Sequence, residues 1–322
     1  MKIKSTIDIA NLLNKYLVDT CVLPLEKGPI NGSIRIVDLP NAQLNCIKIN
    51  KKIAIYAQRP KDTLIFLANL HAQQTYSTIE VQGVKIATPA ISGFNSNLKD
   101  VNIQIPSDCS LFTLAVKNDY FFRKVSSLSS VSLNNIIEQF NIVTSSQVTR
   151  KLFPILNQFD PEDCSSTAYY QLDLLENTIF SAIVQCFTDK LDHRLGRAIH
   201  KQQRQEAALK MLAMSNKWQS EMLKLKDLSS SVHLSRTSIF NGCKEMFNMS
   251  PVEIFRTVRL HQARHALLDT EFCIDNEISG VVEVANFFGF LGRSHFTRHY
   301  KNEFGECPRE TLKQCKMNER SF

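Results

Sequence analysis

The chain has 322 residues, of which 43% are hydrophobic and 21% charged, so it can bury a core in two domains of roughly 100–200 residues each. This composition excludes a disulfide-stapled peptide, a collagen-like chain and a wholly disordered chain. The net charge is +7, and residues 191–322 contribute +5 of it, from 20 basic and 15 acidic side chains. A charge of this size is compatible with nucleic acid, an anionic membrane or an acidic protein as partner, and by itself selects none of them.

The nine cysteines are widely and irregularly spaced and include no CxxC pair, which is typical of reduced thiols in a cytosolic protein. The N-terminal stretch has no continuous apolar segment of signal-peptide length. Nowhere do about 18 uncharged apolar residues run together, which is the length a transmembrane helix needs. The sequence therefore predicts a cytoplasmic protein that does not enter a membrane.

The first predicted element is a short helix over residues 6–18, followed by strands over about 30–118. In that second range, apolar residues alternate with polar ones in short runs that are broken by proline and glycine. The apolar run Leu64–Leu70 predicts a strand buried on both faces, although a helical turn is an open alternative. The pattern favours a β-sandwich or small barrel.

Strand signals end near Lys117, and the remaining chain is predicted to be helical. Residues 166–197 carry an apolar stripe at helical spacing, which packs against its own domain or forms a dimer contact. Residues 194–204 are basic and polar and read as a linker. We expect a β-rich sensing or dimerisation domain over 1–200 and an all-α domain over 201–322.

Two segments of the C-terminal part resemble each other, residues 225–251 and residues 281–308. Each has the pattern of a helix-turn-helix, at about 225–247 and 281–304. In the second helix of each segment, Lys244 matches Lys301 and Phe247 matches Phe304. Ser235 is placed to cap the first of these helices, and Gly289 suits a turn with positive φ. The exposed face of each second helix is polar and basic, as a helix entering a DNA major groove requires.

The segment between the two repeats predicts one long helix that begins with Ser250 as cap and Pro251 in the first turn. About 18 residues at 1.5 Å each span roughly 27 Å. Such a rod can hold two reading helices about one DNA turn, near 34 Å, apart.

The last hundred residues, about a third of the chain, resemble the DNA-binding domain of the AraC/XylS family of bacterial transcription regulators. The resemblance rests on LSRTSIF and NMSPVEIFRTVRLHQARHALL in the first repeat, and on VANFFGF and RSHFTRHYKNEFGECP in the second. It implies an α+β chain with a β-rich, cupin-like N-terminal domain, and a regulator of transcription, more often an activator. The implied partners are double-stranded promoter DNA and RNA polymerase, with a small-molecule effector and homodimerisation through the N-terminal domain or helix 166–197.

The resemblance also implies which residues contact DNA. Exposed positions early in each second helix would contact bases: Thr237, Phe240, Asn241, Arg293, Ser294, Thr297 and Arg298. Arginine can bond bidentately to guanine, asparagine to adenine, and Thr or Phe can contact a thymine methyl. Family members commonly have arginine at the position of Asn241 and glycine at that of Asn248, so the base preference of the first repeat departs from the family pattern.

Phosphate contacts are implied as a set, which positions the protein rather than specifying sequence. The candidates are Arg236, Lys244, Arg256, Arg259, Arg264 and Lys301. Arg259 and Arg264 have an alternative structural role, pairing with Glu253, Asp269 or helix carbonyls.

Enzymatic and metal chemistry have little support in the sequence. The pairs His261/His265 and His295/His299 have helical metal-ligand spacing but no third ligand, so no metal and no cofactor is expected. P-loop, GxGxxG and GxSxG patterns are absent. A zinc/thiolate DNA-repair methyltransferase-regulator is a remote alternative, because the N-terminal cysteines are dispersed. A DNA-binding protein controlled by a protein partner or by its own abundance, without small-molecule sensing, is the other alternative.

Overall fold

A computed structural model describes residues 1–69, 78–86, 89–129, 132–159, 171–189, 193–217, 235–290 and 292–319. These residues form two compact units. The first contains residues 1–3, 13–18 and 31–200, and the second contains residues 4–12, 19–30 and 201–322. Two N-terminal stretches that the sequence assigns to the domain 1–200 therefore lie with the C-terminal residues. Their partners are more than 180 positions away, as in the hydrogen bond from Gly28 N to Glu303 O (2.7 Å), so no local pattern signals them.

Thirteen strands are present in the described residues. They are β1 Lys2–Ile3, β2 Val18–Pro24, β3 Gly32–Asp38, β4 Ala42–Ile49, β5 Ile53–Gln58, β6 Thr63–Asn69, β7 Ile79–Val81, β8 Val84–Ile86, β9 Ala90–Ser92, β10 Asp100–Ile105, β11 Cys109–Lys117, β12 Ile142–Thr144 and β13 Arg194–Gly196. In the first unit, one sheet has the order β1-β3-β4-β11-β6-β9-β12-β13, and β5-β10-β7-β8 belong to a second sheet. The alternating segments thus form a β-rich domain of two sheets, as predicted.

The core of the first unit lies between the first sheet and two helices, α2 (Asn118–Leu128) and α5 (Leu172–Thr188). Strand β6 is buried at every position, as its apolar run predicts. Aromatic rings fill the layer, with Phe66 5.0 Å from Phe121 and Phe94 4.8 Å from Phe187 between ring centroids. Each such buried ring contributes about 1.5–3 kcal/mol relative to an exposed one. This packing buries the apolar face of α5 between Leu175 and Phe187.

Two strands lie in the region predicted to be entirely helical. β12 joins the edge strand β9, and β13 joins β12 through the register Val143 to Leu195. Both have only three residues, too few for an alternating pattern to show, and they are stabilised by pairing with a sheet that already exists. Consequently α5 ends at Thr188, short of the predicted 197, and residues 194–196 of the predicted linker are a strand.

The remaining helices of the first unit are short. They are α3 Asn134–Gln139, a π-helical turn Val148–Leu152, α4 Phe153–Leu156 and a 3-10 turn Asn157–Phe159. The predicted N-terminal helix is α1, Thr6–Leu13, whose residues up to Leu12 belong to the second unit and which ends before β2 begins at Val18.

The second unit is helical from residue 203 onward in its described part. Its helices are α6 Gln203–Lys217, α7 Arg236–Phe247, α8 Pro251–Leu268, α9 Thr270–Asp275, α10 Val281–Phe287, α11 Arg293–Phe304 and α12 Pro308–Glu319. One core cluster includes Leu260 and Leu267 of α8, Val284 of α10, and Phe296 and Tyr300 of α11. The α+β class, with a β-rich N-terminal part and a helical C-terminal part, is confirmed.

Candidate DNA-binding surface

Helix α7, the predicted reading helix of the first repeat, has one buried and one exposed face. Ile239, Cys243 and Phe247 are buried at helical spacing. The Ser235 hydroxyl caps the helix by accepting from Ser238 N at 3.1 Å, and Asn248 ends it in the left-handed conformation with φ 55°. The exposed face carries the predicted DNA contacts Arg236, Thr237, Phe240, Asn241 and Lys244.

Phe240 is the unusual member of this face, because its aromatic side chain is 44% exposed. A large apolar side chain kept in solvent loses the free energy that burial would supply. Contact with a thymine methyl group in the major groove would bury it.

Helix α11, the predicted reading helix of the second repeat, is built in the same way. Phe296, Tyr300 and Phe304 are buried at intervals of four. Arg293, Ser294, Arg298 and Lys301 are exposed, and Thr297 is half-buried. The helix begins at Gly292 with φ 87° and ends at Gly305 with φ 77°, two conformations that favour glycine.

The first helix of the second repeat is α10. Its residue Ala285 is 2% exposed, as the close crossing of two helices requires. In the first repeat, the predicted helix with Leu225, Leu228 and Val232 lies outside the described residues.

Helix α8 connects the two repeats and has the 18 residues that the sequence predicts. Ser250 and Glu253 form a capping box, with Ser250 Oγ accepting from Glu253 N at 3.3 Å and Glu253 Oε2 accepting from Ser250 N at 2.6 Å. The donated bonds, chiefly that from Ser250, lower the pKa of Glu253. A box of this kind stabilises the start of the helix by about 1 kcal/mol.

Two arginines of α8 point into the protein. Arg259 donates to Gly289 O (3.4 Å) in the turn of the second repeat, and its guanidinium stacks on the Phe290 ring at 5.6 Å. Burial lowers its pKa. This contact ties α8 to the turn residue Gly289, whose φ is 72° as expected for the turn.

Arg264 is 8% exposed and joins three parts of the second unit. It donates to Tyr300 OH (3.2 Å), to Thr311 Oγ1 (3.1 Å) and to the Glu306 carboxylate. The structure therefore gives buried Arg264 the structural role, with partners other than the expected Glu253 and Asp269. Arg259 is half-buried and contacts the turn of the second repeat.

The other four phosphate candidates are not buried. Arg236, Lys244 and Lys301 are exposed and Arg256 is half-buried. Lys244 also forms an exposed ion pair with Glu253 at 3.6 Å, which is weak in water and can be exchanged for a phosphate.

In each histidine pair with metal-ligand spacing, the surroundings of one histidine lower its pKa. His261 is 2% exposed and lies 3.5 Å from Glu303 Oε1, and burial lowers its pKa. His299 stands among cations, and burial first, then Arg256 and Arg298, lower its pKa. In the described part of the chain, no group of three His, Cys, Asp or Glu side chains is arranged to hold a metal ion. No described helix is long and apolar enough to span a membrane.

Two supporting contacts of the reading helices were not predicted. Helix α6 packs on α7. Its residues Ala208 and Leu212 are buried at helical spacing, an apolar pattern that could have indicated this helix from the sequence. Lys27 and Gly28 bond to the end of α11, and no local pattern could indicate such a distant pair.

Comparison with known proteins locates the similarity in the same region. A family model described as a helix-turn-helix domain matches residues 228–314. The XylDLEGF operon transcriptional activator of Pseudomonas putida is 29% identical over 94 residues, which are 29% of this chain and 28% of that protein. The regulatory protein HrpB of Ralstonia nicotianae is 27% identical over 90 residues, which are 28% of this chain and 18% of that protein. The chain thus matches less than a third of the length of these relatives.

Solved structures of similar proteins include a probable AraC family transcriptional regulator from Rhodopseudomonas palustris. It is 25% identical, covers 34% of this chain and 97% of its own, and has a TM-score of 0.32. ToxT from Vibrio cholerae is 14% identical, and the match covers 92% of this chain and 97% of ToxT with a TM-score of 0.29. The match to residues 228–314 and the capped helices α7 and α11, joined by α8, show that the C-terminal part of this chain contains a helix-turn-helix domain, which is similar to those of AraC/XylS-family regulators.

Proposed function

We propose that the protein is a sequence-specific DNA-binding transcription regulator whose two reading helices, α7 and α11, enter successive major grooves. The observation that carries this proposal is the repeated architecture. Each helix buries one apolar face, and its opposite face carries exposed groups suited to base edges. Arg298 on α11 is suited to guanine and Asn241 on α7 to adenine.

The base contacts proposed are those on the exposed faces, together with half-buried Thr297. They are Thr237, Phe240, Asn241, Arg293, Ser294, Thr297 and Arg298. For the phosphates we retain Arg236, Lys244, Arg256 and Lys301, because Arg264 is buried and Arg259 donates to Gly289 O and stacks on the Phe290 ring. This division assigns specificity to the first set and position to the second.

We further propose that the regulator is an activator and that RNA polymerase is its partner at the promoter. The similarity to a protein named as a transcriptional activator supports this proposal, over 28% of that protein's length.

The N-terminal domain is proposed to sense an effector or to form a homodimer. A groove of about 310 Å³ in the first unit, lined in part by Lys15, Tyr16, Gln43 and Lys117, has room for a small molecule. The apolar void beside Phe66 and Phe112 holds only about 20 Å³ and is too small for any molecule larger than water. Control by a protein partner or by abundance is the alternative if broad ligand screens give no thermal shift.

The DNA-binding proposal is tested by selecting duplexes from fragmented genomic DNA with the full chain. We expect enrichment of a small set of promoter fragments over a random-sequence competitor. Equal recovery of all fragments would overturn the proposal.

A further inference from the structure

The reading helix α7 is held from outside its helix-turn-helix by the start of α6. Arg204 Nε donates to Glu245 Oε2 at 2.6 Å, and Gln205 Nε2 donates to Glu245 Oε1 at 2.7 Å. Both oxygens of one carboxylate are therefore fixed by two consecutive residues. The backbones also meet here, since a Cβ on Gly242 would lie 2.0 Å from Arg204 O.

The reading helix α11 is held in a similar way by residues 24–28, which we name the N-terminal strap. Lys27 Nζ donates to Asn302 Oδ1 at 3.2 Å, and Gly28 N donates to Glu303 O at 2.7 Å. Gly28 has φ 112°, a conformation that side chains rarely adopt, so this bond depends on glycine. The strap thus fixes one side chain and one carbonyl near the end of α11.

Both sets of contacts, which we name the holds, involve the C-terminal half of a reading helix and leave the base-contact positions uncovered. Glu245 lies beyond Thr237 and Asn241 in α7, and Asn302 lies beyond Arg298 in α11. A 12-residue helix is about 18 Å long, so tilting it by about 10° at one end moves the other end by about 3 Å. A shift of that size breaks a hydrogen bond to a base edge. The holds can therefore set base contact without touching DNA.

Both holds lie close in sequence to a point where the chain passes from one unit to the other. The chain does so after Ile3, Leu12, Val18, Ile30 and His200. The strap ends two residues before Ile30, and Arg204 follows His200 by four residues.

We propose that Arg204 with Gln205, and Lys27 with Gly28, are positioning residues that set the entry angle of α7 and α11 respectively. The proposal rests on the proposed DNA-reading function. It means that residues outside both helix-turn-helix units tune the two half-sites independently.

The test measures the protection of each half-site separately, by quantitative footprinting of the full chain on a duplex selected from a random-sequence library. Asn241→Ala and Arg298→Ala first identify the half-sites read by α7 and α11. We then expect the double variant Arg204→Ala/Gln205→Ala to weaken only the α7 half-site. Lys27→Ala should weaken only the α11 half-site. Each effect should be about twofold to fivefold, the size of an exposed charge-assisted contact.

Two controls separate positioning from loss of fold. Arg123→Ala breaks an exposed pair with Asp119 (3.0 Å) on α2 and should change neither half-site. The exchange of Arg204→Glu with Glu245→Arg should restore the α7 half-site that Arg204→Glu alone weakens.

The outcomes distinguish this proposal from the function on which it rests. If no duplex is enriched in the selection, the DNA-reading function fails. If a duplex is selected and its half-sites are mapped, but the hold variants weaken both half-sites equally or neither, the positioning proposal is overturned.

Discussion

At the scale of single residues, Arg298 is the most specific candidate for reading a base. It is exposed on α11, and its guanidinium makes a long contact of 3.5 Å with His295 Nδ1. We expect Arg298→Ala to weaken specific binding by about 1–3 kcal/mol and to relax one base position. Fluorescence anisotropy on the selected duplex and its single-base variants measures both effects. An equal loss on every sequence would make Arg298 a phosphate contact, and Lys313→Ala is the control.

His261 makes the stability of the second unit depend on pH. It is buried against the Phe304 ring, and desolvation lowers its pKa from the ordinary 6.5, opposed by Glu303 and reinforced by Arg264. The unfolded chain therefore binds the proton first. The stabilising contribution is complete above pH 6.5 and is lost as the pH falls towards the folded value.

The pH prediction is checked with His261→Gln, which has no proton to gain. The free energy of unfolding from urea titrations should fall less between pH 7 and pH 5 in this variant than in the parent chain. His200→Gln, which replaces an exposed histidine, is the matched control variant. An unaltered slope in His261→Gln would mean that other groups cause the dependence.

At the scale of elements, α6 and α7 cross closely at Gly242. Ala at position 242 would gain up to about 1 kcal/mol of helix propensity. Its Cβ would nevertheless collide with Arg204 O, which belongs to backbone and cannot move aside. We expect Gly242→Ala to destabilise the unit by about 1–3 kcal/mol net.

Thermal unfolding of the full chain checks the effect of Gly242→Ala. Gly280→Ala is the matched control, since nothing lies within 4 Å of its added Cβ and its backbone is extended. Equal melting temperatures for the two variants would show that α6 and α7 can separate at little cost.

The elements that the sequence predicts well are those with local signals. The caps at Ser235 and Ser250 and the Gly289 turn depend on residues within four positions of each other, and all three are present. Strand β6 is also local, since its buried run needs no partner to be recognised. Local chemistry therefore predicts where elements begin and end.

The elements that sequence misses depend on distant partners. The strand β13 exists because β12 already lies at the sheet edge, and Arg264 faces inward because Glu306 and Thr311 meet it there. The N-terminal strap is recognised only from its bonds to α11. Of the candidate site, the exposed faces are readable from the sequence, whereas the holds that orient them are not.

At the scale of the whole molecule, the net charge of +7 predicts that DNA binding weakens as the salt concentration rises. Four proposed phosphate contacts predict that the logarithm of the binding constant falls with the logarithm of salt concentration with a slope of about −3 to −4. Lys301→Ala should reduce the magnitude of the slope by about 1 and weaken all sequences alike. Anisotropy between 50 and 200 mM salt, roughly the range in which such effects are measured, checks this. A slope near zero would contradict the proposed phosphate contacts.

The central claim is that α7 and α11, joined by the 18 residues of α8, read two successive major grooves. Dimethyl sulfate footprinting of the full chain on the selected duplex tests it most directly. The account predicts two protected patches on one side of the duplex, about 10 base pairs apart, of which Asn241→Ala removes one and Arg298→Ala the other. A single patch, or two patches that both variants weaken equally, would contradict it.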